Sequence, residues 1–123
     1  MKTYKEIAME FAKAWNIRDS KYIEPLLKDD FRYSSQWVLT DIENKNDFLK
    51  YFDGKLKTIK QTKAIVFAEV GEYNNKYYLV ISQILNGKIN KVTLSINVEE
   101  GMIKSANMGL FPAPGNIKTL WVK

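Results

Sequence analysis

The stretch Phe11–Trp37, FAKAWNIRDSKYIEPLLKDDFRYSSQW, decides the fold. In order it gives the end of an amphipathic helix, an Asn16-x-x-Asp19 break, a short second helix, an Asp29-Asp30 turn and a strand with an aromatic-polar-aromatic row. That sequence of signals predicts helices laid against a curved sheet, with a concave interior able to hold a small molecule. In the strand, Phe31, Tyr33, Ser35 and Trp37 alternate with Arg32, Ser34, Gln36 and Val38, so the first set shares one face.

Working outward, Thr3-x-x-Glu6 has the form of a capping box, and Tyr4, Ile7, Ala8, Phe11, Ala12, Ala14 and Trp15 then fall on one broad helical stripe. The first helix is predicted from about Tyr4 to Ile17. Asp19 or Ser20 can cap the second, which carries Tyr22, Ile23, Leu26 and Leu27 and which Pro25 keeps short. Downstream, Asn44-x-x-Asp47 resembles a cap for a third helix with Phe48, Leu49, Tyr51, Phe52, Leu56 and Ile59. Gly54 either ends that helix early or lies inside it at a cost of about 1 kcal/mol relative to Ala.

Beyond Gln61 the period changes to two. Segments 62–73, 76–86, 89–99 and 102–111 are separated by Asn74-Asn75, Asn86-Gly87-Lys88 and Glu100-Gly101, which are hairpin signals. Four hairpin-linked strands and the earlier one make a mostly antiparallel sheet, and three helices beside it make the class α+β. A chain of 123 residues with 46% apolar content is the size of one domain with a core, here 1–123, with the core at about 4–111 and a tail at 112–123.

Composition narrows the chemistry. There is no Cys, hence no disulfide, thiolate nucleophile or cysteine-ligated metal. There is no His, the commonest general base and metal ligand, which leaves carboxylates, Lys and Tyr for proton transfer. No zinc spacing, phosphate loop, nucleophile elbow or dinucleotide fingerprint occurs, so no metal and no cofactor is expected. The net charge of +5 comes from scattered Lys with only Arg18 and Arg32 beside them, the pattern of a solvated surface rather than of a nucleic-acid reader. The Lys55, Lys57, Lys60 and Lys63 group follows a predicted helix and can complement the negative end of its dipole. No apolar run approaches the roughly 18 residues needed to cross a bilayer, and the expectation is a cytoplasmic protein without membrane partners.

The order helix, short helix, strand, helix and four long strands, with AWNIRDSKYIEPLLKDDFRY at the first junction, resembles the nuclear transport factor 2-like superfamily, which includes SnoaL-like polyketide cyclases and ketosteroid isomerases. Trp15, Asn16, Asp19, Leu26-Leu27 and Asp29-Asp30 carry the resemblance, which spans about Tyr4 to Phe111. It implies a cone-shaped half-barrel: a curved, mostly antiparallel sheet wrapped around three helices from the N-terminal half, with a cavity between them. It also implies an unknown small apolar molecule as ligand and a homodimer formed through the outer face of the sheet. The strand 76–86 suits that dimer, because Tyr77, Leu79, Ile81 and Leu85 lie on one face and Tyr78, Val80 and Ile84 on the other.

Compatible cavity residues are Trp15, Phe52, Tyr33, Ser35 and Trp37, together with Ser105 and Asn107, which alternate with Ile103 and Phe111 on the last strand. The isomerase chemistry is absent from its positions. By spacing, the acid Tyr falls at Phe11, the base Asp near Ser35, and the later acid at Ser95 or Asn97. The lack of His excludes the superfamily's His-dependent dehydratases. The reading is thus a small-molecule-binding protein with a mostly apolar pocket, and acid–base catalysis on an apolar metabolite remains open. The alternative is a non-catalytic dimeric interaction module.

Two placements stay open in the sequence. Glu69 lines the interior if Ile65 and Phe67 point inward, and is a surface charge if Ala64, Val66, Ala68 and Val70 do. The second is favoured, because small and β-branched residues suit the concave face. After Pro112-Ala113-Pro114-Gly115, the tail NIKTLWVK is expected over the cavity mouth or on a partner subunit, covering Leu120, Trp121 and Val122.

Overall fold

In the computed structural model, residues 1–37 and 39–120 are described. The chain forms helix α1 (Tyr4–Ile17), strand β1 (Leu27–Ser35), helix α2 (Lys45–Gln61), and strands β2 (Ile65–Tyr73), β3 (Lys76–Leu85), β4 (Lys88–Glu99), β5 (Met102–Gly109) and β6 (Lys118–Leu120). The six strands form one curved, open sheet in the order β1-β5-β4-β3-β2-β6. Every pairing is antiparallel except β1 with β5. The helices pack on the concave face. The short second helix is a pair of 3₁₀ turns, Ser20–Tyr22 and Glu24–Leu26, the first capped by the Asp19 carboxylate and the second carrying Pro25 near its start.

Local chemistry accounts for these elements. The Thr3–Glu6 capping box forms, Arg18 closes α1 in the left-handed region at φ 65°, and the Asn44 side chain accepts from the Asp47 N–H at the start of α2. Gly54 lies inside α2, exposed, so its cost is carried by the packing of Phe48, Phe52 and Leu56. All three hairpins are two-residue turns with positive φ at both central residues: Asn74-Asn75, Asn86-Gly87 and Glu100-Gly101. Their backbone twist matches that of the strands they join.

The core is aromatic between the helices and β1, and aliphatic along the sheet. Phe48 stacks on Phe52 at 5.6 Å and meets Phe31 at 4.7 Å, while Phe11 meets Phe52 edge-on at 5.9 Å. Val66, Ala68 and Val70 form the buried row of β2, which leaves Glu69 on the outer face.

The free edge of β2 is closed by three different devices. Glu72, Gly71 and Val70 pair with β6, the Asn16 side chain bonds both the N–H and the carbonyl of Ala68, and the Arg18 guanidinium donates to the Val66 carbonyl. Alternate residues of a strand turn their polar groups to the same edge, so each of residues 66, 68, 70 and 72 finds a partner along that edge.

The C-terminal segment corrects an expectation. Residues 112–120 neither cover the cavity mouth nor need a partner subunit, because they cross the convex face of their own sheet before β6 joins β2. Pro112 is buried and its carbonyl accepts from the Thr93 hydroxyl at 2.7 Å. Ile117 presses on Gly71 so closely that a Cβ there would lie 2.1 Å from Ile117 Cγ2. Val80, on the same face, is buried as well. The expected cover for Trp121 and Val122 lies outside the described residues.

Candidate functional site

A cavity of about 590 Å³ lies between α2 and the concave face of the sheet, with Trp15 of α1 at its inner end. One wall is the stripe Tyr51, Lys55, Thr58 and Ile59 of α2, spaced so that all lie on one side of the helix, continued by the C-cap residue Thr62. The opposite wall is the inner row of the sheet, including Val66, Ile81, Val92 and Met108. Short side chains on that row leave the space open. Towards the exposed end the lining becomes Gln83, Leu85, Asn90 and Trp37, the last 54% exposed.

Of the residues named from the sequence, Trp15, Ser35 and Trp37 line this cavity. Ser35 accepts from the Trp37 N–H at 3.2 Å, which fixes the turn that carries the Trp37 ring. Phe52 and Tyr33 stand behind the lining. Phe52 is fully buried against Trp15, with ring centres 5.1 Å apart, and Tyr33 packs on Tyr51 at 5.4 Å while its hydroxyl donates to Met108 Sδ at 3.7 Å. Both support aromatics that reach the cavity.

Ser105 and Asn107 are corrected to the convex face. Ile103 points into the core, but so do Ala106 and Met108, so the alternation of β5 shifts by one between them. The cause is a bulge: Val98 of β4 pairs with Ile103, whereas the adjacent Asn97 pairs with Ser105. One extra residue sends every later side chain to the opposite face. Asn107 then donates to Ser34 Oγ, and Asn97 to Ser105 Oγ at 2.8 Å, both outside the cavity. The same placement removes Ser95 and Asn97 as groups facing a ligand. Phe111, expected on the same row, is exposed beyond the end of β5.

The residues that sequence reasoning missed are on α2 and on β2–β4. Tyr51, Lys55, Thr58 and Thr62 recur at helical spacing beside the apolar stripe, and that polar flank was the available signal. It has no meaning until the sheet is placed opposite it.

The electrostatics of the lining are simple. No Asp or Glu is among the lining residues, and Lys55 is the one Lys or Arg there. Its ammonium lies 5.7 Å from the centre of the Tyr51 ring, within cation–π range. The Tyr33 phenol is pushed well above its ordinary range, first by burial and then by neighbouring Tyr51, so it stays protonated at physiological pH. Among the described residues no group of three or more carboxylates is assembled for a metal. Trp15 is 3% exposed, and its indole N–H has no acceptor among the described residues.

No family profile matches this chain. No curated protein does so either. Solved structures match over most of its length. An NTF2-like protein of unknown function from Cytophaga hutchinsonii is 17% identical, with a TM-score of 0.63 over 88% of this chain and 89% of the other. A Kribbella flavida protein described provisionally as a ketosteroid isomerase is 14% identical, with a TM-score of 0.63 over 85% and 75%. The fold is nuclear transport factor 2-like. A de novo designed protein with a curved β-sheet is similar to the same degree, 17% identical with a TM-score of 0.66 over 89% and 85%. This nuclear transport factor 2-like architecture is therefore shared by natural chains and by a designed one, and activity must be argued from the cavity. No helix among the described residues is long and apolar enough to cross a membrane.

Proposed function

We propose that the protein binds a small, mostly apolar molecule in the cavity between α2 and the sheet, and that binding rather than carboxylate acid–base chemistry is its activity. The observation that carries this reading is the cavity itself, an open, apolar-walled space of about 590 Å³ with Trp15 and Trp37 in its lining. The volume is within the range of small-molecule sites, and the lining is apolar with a few polar groups, as such sites require. General-base catalysis has less support, since the lining carries no carboxylate and Tyr33 holds its proton.

The test is a fluorescence titration with prodan, an apolar naphthyl ketone whose emission shifts to the blue in an apolar site. Saturable blue-shifted binding is expected. It should weaken about 2- to 10-fold in Trp15→Phe, which trims indole surface from the lining. Trp37→Ala should weaken it as well, through lost apolar contact. Absence of saturable binding, or equal binding by wild type and both variants, sinks the reading.

A second reading is a non-catalytic dimeric interaction module, and it rests on the convex face. There Ile65, Ile84 and Ile89 stand directly opposite one another across β2, β3 and β4, with exposed Phe67 beside them. The proposed occupant of that strip is a second copy of the chain, with strip laid on strip about a two-fold axis.

A further inference from the structure

We propose that the ligand is an amphipathic organic anion: an apolar body that fills the cavity, with one carboxylate paired to Lys55. The inference rests on the cavity reading above and adds the sign and position of a charge.

Lys55 comes from the middle of α2, one turn after Tyr51 and one before Ile59, and all three line the same wall. It is half-buried, whereas Lys50, Lys57 and Lys60 of the same helix are exposed. Its ammonium is held near the face of Tyr51, an aromatic that is itself backed by Tyr33. The α2 carboxylates, Asp47 and Asp53, lie outside the lining, and none of the described ion pairs involves Lys55. A cation on the wall of a mostly apolar cavity acts through a lower dielectric than one on the open surface, so its attraction for an anion is stronger there. A carboxylate entering this cavity would otherwise lose hydration without compensation. Lys55 offers that compensation. A ligand ammonium in the same place would meet a like charge, and a neutral alcohol would make only an ordinary hydrogen bond.

The polar groups of the deeper part are arranged in the same sense. Lys55 and Thr58 of α2 and its C-cap Thr62 lie on the helical wall, opposite Val66, Ile81 and Val92 of the sheet, whose polar lining residues are Ser35 at the end of β1 and Gln83 and Asn90 at the exposed end. An apolar chain against the sheet with its acid turned toward α2 satisfies both walls. The net charge of +5 adds a general field that favours anions on approach.

The experiment uses the full chain and measures displacement of bound prodan by octanoate, octanol and octylammonium, which share one apolar chain and differ in charge. Octanoate is expected to displace prodan at about tenfold lower concentration than octanol, with octylammonium weakest. Added salt should erode the octanoate advantage. In Lys55→Met octanoate and octanol should become equivalent, and in Lys55→Arg the preference should return. Thermal melting of both variants checks that each is folded. If prodan binds but octanol competes as well as octanoate, or if the octanoate preference survives in Lys55→Met, the anion assignment is overturned while the cavity reading stands. If prodan does not bind, both are overturned.

Discussion

Asn16 shows what a single residue in the junction accomplishes. Its amide donates to the Ala68 carbonyl at 3.0 Å and accepts from the Ala68 N–H at 2.7 Å, so one side chain imitates a neighbouring strand and locks the end of α1 to the edge of β2. In the sequence it reads only as part of a helix break. Its partner lies 52 positions away, and no local pattern announces such a bond. Asn16→Ala would leave both backbone groups of Ala68 half-buried and unpaired. A loss of about 1–3 kcal/mol in urea unfolding is expected, and a change below about 0.5 kcal/mol would show that water replaces the amide without penalty. Trp15, the adjacent residue, was legible as an inward aromatic because the stripe of α1 places it there. That its N–H lacks an acceptor was not legible, since satisfaction of a donor depends on every neighbour that folding brings up.

At the level of elements, the hairpins and the two long helices follow from local signals: left-handed Asn and Gly at the turns, caps at Thr3 and Asn44, and periods of 3.6 or two between them. The bulge in β5 does not. Strict alternation predicts Ser105 and Asn107 inward, and a single extra residue reverses them, because a side-chain period of two turns any insertion into a change of face. The crossing of residues 112–117 over the convex face is equally nonlocal, and it depends on a glycine. Gly71 has ordinary backbone geometry, so its requirement is space alone: a Cβ would collide with Ile117. Gly71→Ala is therefore expected to displace the segment, raising amide hydrogen exchange across 112–120 and lowering the melting temperature. In an Ile117→Ala background, which lacks the colliding Cγ2, Gly71→Ala should cost less than it does beside Ile117. Unchanged exchange in Gly71→Ala would mean that the segment is held by the Thr93–Pro112 bond and β6 without this contact.

For the whole molecule, the convex face decides the oligomeric question. The chain covers Val80 and Thr93 itself, so a dimer is not needed there, and what a second copy would bury is the strip of Ile65, Phe67, Ile84 and Ile89. If that strip forms the contact, light scattering should give a dimer for the wild type and a monomer for Ile89→Lys, with prodan affinity unchanged because the cavity is on the other face. A monomeric wild type removes the dimer reading. The sequence by itself determined the α+β class and the order of the long elements, because periodicity and capping are local properties of a chain. Only the tertiary structure decided that Lys55 and the polar flank of α2 face an apolar cavity, that Ser105 and Asn107 do not, and where the tail goes. Those outcomes depend on which surfaces meet after the sheet curves and β5 bulges, and such meetings are set by packing across the whole fold rather than by any stretch of residues.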